Sequence, residues 1–381
     1  MVKSRKLKII HLRDSSFVGG PEKLILGQVE ELRSKGFDFV LTSFEKRSRN
    51  NELLREAQRR GINVFALRGG ASGISLLIDY IRTREIDLIS CHDYKSNLYG
   101  IIASKICGIP AVSIFHGRTS HSFIMKLYEK VDDRILSFFD SVVCVSRFSS
   151  KVVRERVRGI RNVRVVYNAI KIDECIARRK KTNIRDELGL PKDFGLIVQV
   201  GRVSPEKDQF LFVKSAIEII GMLPRHAFLV VGDGPELANL KALVRSKNCS
   251  SRVLFLGHRS DAISIIDQAN LLVLTSKTEG MPITILEAFA VRTPVLSTPV
   301  GGIPEIVLDG ETGHLCSSRD PVIFGKKIVD VLNCPNNSRI VETAFHFARK
   351  NLSFSAQCEK LAKIYAEVIA EATLENATKK K

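Results

Sequence analysis

Two carboxylates, Glu279 and Glu287, stand with seven residues between them in the stretch SKTEGMPITILEAFAVRTPVLSTPVGGIPEIV, Ser276–Val307. An apolar run, Asn270–Thr275, precedes them and reads as a buried strand; Glu279-Gly280-Met281-Pro282 then turns the chain. Pro282 suits a first helical position, and Ile283, Leu286 and Phe289–Ala290 recur at helical spacing. Thr293–Thr298 reads as another strand, which Gly301-Gly302 ends in a flexible loop. A strand, a glycine turn and a helix start leave backbone N–H groups free at a positive dipole end, where phosphate binds. With two carboxylates beside it, this pattern predicts a site for a phosphorylated, hydroxyl-rich ligand. A glycoside-cleaving acid–nucleophile pair would need carboxyl groups about 5–9.5 Å apart. Eight residues on one continuous helix rise about 12 Å. Binding of ligand hydroxyls is the better reading, although without these surroundings a Glu at either position would read as a surface or capping residue.

Basic and histidine side chains recur at the ends of other strand-like runs. Gly201-Arg202-Val203-Ser204-Pro205-Glu206-Lys207 follows Leu196–Val200. There Arg202 offers a planar fork for phosphate oxygens and Lys207 a compact mobile charge. Together they can bind a diphosphate and stabilise charge building on it as it leaves. Gly19-Gly20-Pro21-Glu22 follows the first strand and opens a helix over Glu22–Ser34, a place where backbone can approach a ligand closely. His116 ends Ala111–Phe115 and precedes Gly117, while His92 and Asp93 follow Leu88–Cys91 and are expected on the acceptor side. Neither His11, His121 nor His258 has metal-ligand spacing to Cys or acidic residues, so no metal site is expected.

Positioning these groups requires many short strands. Candidates in the first half are Lys8–Leu12, Phe39–Phe44, Asn63–Leu67, Leu88–Cys91, Ala111–Phe115, Val142–Val145 and Val163–Tyr167. In the second half they are Leu196–Gly201, Phe228–Val231, Val253–Leu256, Leu271–Thr275, Val295–Thr298 and His314–Cys316. Most are apolar on both faces and spaced for βα units, as in parallel sheets covered by helices. The fold class is therefore α/β, with two doubly wound domains whose ligand space lies at the carboxyl ends of the strands. Domains are expected at 1–180 and 181–355, with 356–381 a C-terminal helix ending in a frayed basic tail.

The stretch EG-x-P-x4-EA, with Glu279 and Glu287, resembles the E-x7-E signature of retaining glycosyltransferases of family GT4, which have the GT-B fold: two Rossmann-like domains facing across a cleft. The likeness continues through PV-x2-T-x2-GG-x2-E-x-V, Pro294–Val307. It departs at Arg292, where that family usually has Gly; either the turn differs or Arg292 serves the ligand. The resemblance implies a nucleoside-diphosphate-sugar donor, UDP favoured and GDP a competitor, and transfer to a hydroxyl with retention of configuration. It places Arg202, Lys207, Gly20 and the backbone of Met281, Pro282 and Ile283 on the diphosphate, and Glu287 on the ribose. Glu279 and His116, the latter through Nε2 or the ring, would meet the transferred sugar as the catalytic pair. The segment at His258 and Arg259 would receive the base, and Gly19 would lie toward the acceptor. The last helix would cross back to the N-terminal domain. No cofactor is implied, the nucleotide-sugar being a substrate, and metal-independent transfer is expected. Rival readings are a sugar-nucleotide 2-epimerase in the same shell and a non-catalytic nucleotide-sugar binding protein.

At 381 residues the chain has room for two or three domains of about 150 residues each, and 44% hydrophobic content fills their cores. No apolar run approaches the roughly 18–20 residues of a membrane-spanning helix, and Leu7–Leu12 is too short for a signal peptide. Eight scattered cysteines without a Cys-x-x-Cys pair read as small buried thiols of a cytoplasmic protein. The net charge of +18 is lopsided: through Arg185 there are 36 Lys/Arg against 19 Asp/Glu, and beyond it 23 against 22. Such a basic half could meet an anionic acceptor, such as a polyprenyl-diphosphate-linked glycan in polysaccharide biosynthesis, and an anionic inner membrane face. Nucleic acid is not expected, because no aromatic residues interleave with the basic clusters.

Overall fold

The computed structural model describes residues 5–45, 51–118, 123–160, 162–179 and 183–379. His121, Lys180-Lys181 of the basic cluster and the terminal Lys380-Lys381 lie outside the described residues. Every run expected to be a strand is one, to within two residues at either end. The strands are β1 (Leu7–Leu12), β2 (Phe37–Phe44), β3 (Asn63–Leu67), β4 (Leu88–Cys91), β5 (Ala111–Phe115), β6 (Ser141–Cys144) and β7 (Val163–Val165). They continue with β8 (Gly195–Val200), β9 (His226–Val231), β10 (Val253–Gly257), β11 (Leu271–Leu274), β12 (Val295–Ser297) and β13 (His314–Leu315).

Two compact units result. One takes in the described residues before Ala169 together with Phe354 onward, and the other is Ala169–Ser353. They part ahead of the boundary expected at 180. The cause is local: the short helix Ile172–Ala177 packs on the helix Ile283–Val291, and Arg179 just beyond it pairs with Asp267 at 3.2 Å and donates to the Ala290 carbonyl. The final helix, Phe354–Lys379, belongs to the N-terminal unit, where Tyr365 is fully buried and Gln357 meets Gln28. Its last turns were expected to fray; the helix instead continues to Lys379, and Asn376 donates to the Gly108 carbonyl at 3.1 Å.

Both sheets are wholly parallel. The first runs β3-β2-β1-β4-β5-β6-β7 and the second β10-β9-β8-β11-β12-β13. Burial on both faces explains the continuous apolar runs: in β8, Ile197 joins one core cluster while Leu196 and Val198 join the other. Sheet order reverses direction between β1 and β4, and again between β8 and β11. Connections leave these neighbouring strands toward opposite sides, so each unit has a crevice beyond their carboxyl ends. The loops that carry Gly19-Gly20 and His92 start at the first, and those that carry Arg202, Lys207 and Glu279 at the second.

Candidate functional site

In the C-terminal unit the loop after β8 and the loop after β11 are joined by one ion pair. Lys207 Nζ donates to Glu279 Oε1 at 2.6 Å, and Ser276 Oγ donates to the same oxygen at 2.6 Å. The backbone beneath is fixed by Gln199 and Thr275, whose side chains both donate to the Lys207 carbonyl. Glu279 is only 9% exposed, and burial with two donors on one oxygen holds its side chain in place. Arg202 is exposed, and its guanidinium has no partner among the described residues; its carbonyl accepts from Gln209. A free guanidinium on the same loop as a paired ammonium is a ready phosphate contact.

Pro282 is the N-cap of the helix Ile283–Val291, with extended backbone, and not its first helical residue as expected. No side chain caps this helix and its first turn has no acidic residue, so the N–H groups of Ile283 and Thr284 are available to an anion, while Ile285 N–H donates to the Pro282 carbonyl at 3.3 Å. Met281 and Glu287 are buried, Glu287 in the middle of the helix. Gly301-Gly302 is not a free loop. Gly301 adopts φ +60°, a Cβ there would sit 1.7 Å from the Glu279 carbonyl oxygen, and Gly302 N–H donates to that oxygen at 3.3 Å. Only glycine lets these two backbones touch, and their contact sets where Glu279 stands.

The N-terminal unit holds its groups differently. Gly19 is the N-cap of the helix Gly20–Arg33, and its N–H is spent on Glu22 Oε2 at 3.0 Å. Glu22, buried, also takes Arg13 Nε at 2.7 Å. Asp93 is the N-cap of the helix Tyr94–Cys107, accepting from Ser96 N–H and Ser96 Oγ; it also accepts the Asp14 N–H at 2.7 Å and lies 3.7 Å from Arg13 Nη1. His92 is buried between two other histidines. Its Nε2 lies 2.8 Å from His11 Nδ1, and its Nδ1 lies 3.3 Å from His116 Nε2. This contact occupies His116 Nε2 and leaves Nδ1 as the ring nitrogen without a partner among the described residues. Burial pushes the pKa of His116 down to about 3, with Arg13 adding to the effect, and burial alone pushes His11 to about 3. His92 is lowered well below the ordinary range by burial and then by its histidine neighbours. All three rings are therefore neutral at physiological pH. Together with Gln28, Asn168 and Gln357, His92 and His116 line a small pocket under the helices Gly20–Arg33 and Phe354–Lys379.

Comparison with known proteins now bears on this geometry. The family described as "Glycosyl transferases group 1" matches residues 180–346, and "Glycosyltransferase Family 4" matches residues 18–174. The chain is a family 4 glycosyltransferase. Among curated relatives, the Escherichia coli UDP-Gal:alpha-D-GlcNAc-diphosphoundecaprenol alpha-1,3-galactosyltransferase is 25% identical over 341 residues, covering 86% of this chain and 88% of that protein. A D-inositol 3-phosphate glycosyltransferase of Corynebacterium diphtheriae is 24% identical, over 93% and 91% of the two chains. In fold the glycosyltransferase is GT-B, two doubly wound Rossmann-like units. It is similar to Anabaena HepE, solved with UDP and glucose, at TM-score 0.81 and 20% identity over 95% of this chain and all of that one. It also resembles the sucrose-phosphate synthase of Thermosynechococcus elongatus, at TM-score 0.78 and 18% identity, over 96% of this chain and all of that one.

Three further residues of the glycosyltransferase sit differently from expectation or went unseen. The segment at His258 and Arg259 was expected to receive the base through its backbone; His258 is exposed, and the Arg259 guanidinium is filled: Asp261 takes Nε and Nη2 at 2.8 Å each, and Glu187 takes Nη1 and Nη2. These carboxylates push its pKa further up. Arg292 ends the helix Ile283–Val291 at φ +61°, the left-handed turn a glycine would make. Its side chain pairs with Glu342 and stacks 3.6 Å over the Phe345 ring, so it is a packing residue and not a ligand contact. Arg319 was not singled out. It donates to Asp208 and to the carbonyls of Thr275 and Ser276, bracing the loop that presents Glu279. Its Ser-Ser-Arg-Asp setting offers no local sign of that role.

Proposed function

We propose that this glycosyltransferase moves a sugar from a nucleoside diphosphate, UDP in preference to GDP, to a hydroxyl of a glycan or lipid-diphosphate-linked acceptor, with retention of configuration. The observation that carries the donor reading is the meeting of Lys207 and Glu279, which joins the loop of Arg202 to the turn before the uncapped helix at Ile283. Arg202, Lys207 and those N–H groups take the diphosphate. Glu287 takes the ribose, and Glu279 and His116 orient the sugar. Cations that stabilise the departing diphosphate supply what a divalent metal would, so transfer proceeds in its absence. Retention follows if the acceptor attacks on the face the diphosphate leaves, with a phosphate oxygen accepting the hydroxyl proton. The acceptor class rests on the Escherichia coli relative, named for a diphosphoundecaprenol-linked acceptor.

A thermal-shift panel of UDP, GDP, ADP and their sugars, each with and without EDTA, tests the donor site. A shift with one nucleotide, indifferent to EDTA and lost in Arg202→Ala, is the expected result; no shift with any at millimolar concentration overturns the reading. No helix among the described residues is long and apolar enough to cross a membrane. We place the lipid contact on the helix Phe123–Leu136 of the N-terminal unit, where Leu127, Tyr128 and Val131 share one exposed face with Lys130 and Arg134 close by. Phe138 beyond it is also exposed. Co-sedimentation with anionic vesicles at low salt, weakened by Leu127→Glu, is expected; protein left in the supernatant sinks the membrane contact alone.

A further inference from the structure

His11, His92 and His116 come from three neighbouring parallel strands: His11 lies in β1, His92 directly follows β4 and His116 directly follows β5. Their rings lie in series, with centroids 5.1 and 5.6 Å apart and planes 28° and 22° from parallel. Two hydrogen bonds join them, and because each ring is neutral it brings one proton. Only two arrangements place one proton in each bond.

In the first, His116 and His92 both donate from Nε2, and the His11 proton sits on its own Nε2. In the second, His11 and His92 both donate from Nδ1, and the His116 proton sits on Nδ1, the nitrogen not used within the chain. These differ at the buried end. His11 Nε2 is enclosed with no hydrogen-bond partner, between the Phe39 ring and the edge of Tyr365. The first arrangement would bury an N–H donor there, and orphaned donors are rarer and costlier than under-used acceptors. The second leaves only a bare lone pair. Ser90 lies beside the same bond, its hydroxyl 3.2 Å from the Tyr365 hydroxyl and 3.4 Å from His92 Nε2.

We propose that His11 and His92 are positioning residues that hold His116 as its Nδ1–H tautomer, so that it meets the transferred sugar or the leaving diphosphate as a neutral hydrogen-bond donor. The inference rests on the reading that His116 touches the donor. It adds that two residues which do not touch substrate decide whether His116 offers a proton or a lone pair. The final helix takes part through Tyr365, so the far end of the sequence helps set the chemistry of a residue near its first third.

Nitrogen-15 spectra of histidine-labelled enzyme report which ring nitrogen carries the proton. Wild-type His116 should be protonated at Nδ1. His11→Phe removes the donor to His92 and should move His116 toward Nε2–H. Turnover should fall about tenfold, the cost of one misdirected hydrogen bond, with donor KM changed less than about threefold. His11→Asn places an amide N–H where Nδ1–H stood, and should restore both the tautomer and turnover. Nε2–H in the wild-type spectrum, which needs no variant to fold, overturns the proposal, as does an unchanged tautomer in His11→Phe. Normal transfer by His116→Ala would instead overturn the placing of His116 on the donor, a failure distinct from that of the tautomer.

Discussion

At the proposed donor site, Glu279 and an incoming diphosphate would compete for the same ammonium, since Lys207 Nζ already lies 2.6 Å from Glu279 Oε1. A carboxylate beside a diphosphate site also repels it. Both effects oppose donor binding, so the residue must serve a later step, such as holding the sugar hydroxyls as the bond to the diphosphate breaks. Glu279→Gln keeps an acceptor for Ser276 and removes the charge. We expect UDP affinity by calorimetry to stay level or tighten about threefold, the scale of a partly exposed ion pair. Transfer, measured with excess donor and acceptor, should fall about a hundredfold or more. Tenfold weaker UDP binding would instead assign Glu279 a purely architectural role. At this scale the sequence was legible where chemistry is local: the spacing of Glu279 and Glu287, and the seven-residue run holding Arg202 and Lys207. It was not legible where partners come from afar. Glu187 lies 72 positions from Arg259, and nothing near either residue signals that they pair. Asp93 is different, because Asp just ahead of a helix is a capping residue, and that role was legible from its neighbours alone.

Strands were legible because parallel sheets covered on both faces demand continuous apolar runs, and these runs are short and separate in this chain. Helix ends and turns carried less information. Pro282 is permitted both at the N-cap and one position later, so the sequence leaves its position open by one residue. Arg292 shows a turn surviving the loss of its usual residue: the left-handed backbone at φ +61° remains, and stacking on Phe345 with a pair to Glu342 offsets part of the strain. Gly301 has no such latitude. Alanine there would carry the left-handed cost and also push a methyl group into the Glu279 carbonyl, 1.7 Å away. Gly310, at φ +76°, has nothing within 4 Å of where a methyl group would stand, so Gly310→Ala bears the backbone cost alone. We expect Gly301→Ala to lose about 2–4 kcal/mol and Gly310→Ala about 1 kcal/mol in denaturant melts. UDP-sugar turnover should fall only in the first, because only there does Glu279 move. Equal losses in both would show that the Gly301–Glu279 contact carries no weight.

Over the whole chain, the N-terminal unit is completed by residues that follow the entire C-terminal unit. The chain leaves and returns at neighbouring points: Gln357 donates to the Tyr167 carbonyl in the first unit, and Ile170 bridges to Ser353 in the second. Leu361, Ile364, Tyr365 and Val368 on the returning helix are all buried. At about 1.5–3 kcal/mol each, their burial is worth roughly 6–12 kcal/mol. That matches the about 5–15 kcal/mol by which a domain of this size is stable at all. Without that helix, Gln28 and the pocket wall around His92 and His116 lose their cover, and Ser90 loses Tyr365. A fragment of residues 1–168 should therefore lack a cooperative thermal transition by circular dichroism. Because the exit and return points adjoin, residues 354–379 joined after 168 by a few Gly and Ser residues should restore the transition. If 1–168 melts cooperatively within a few degrees of the joined form, the returning helix is an addition to a unit that folds without it. If it does not, the N-terminal unit can fold only once the chain has been made to its last helix, and its histidine chain is assembled only then.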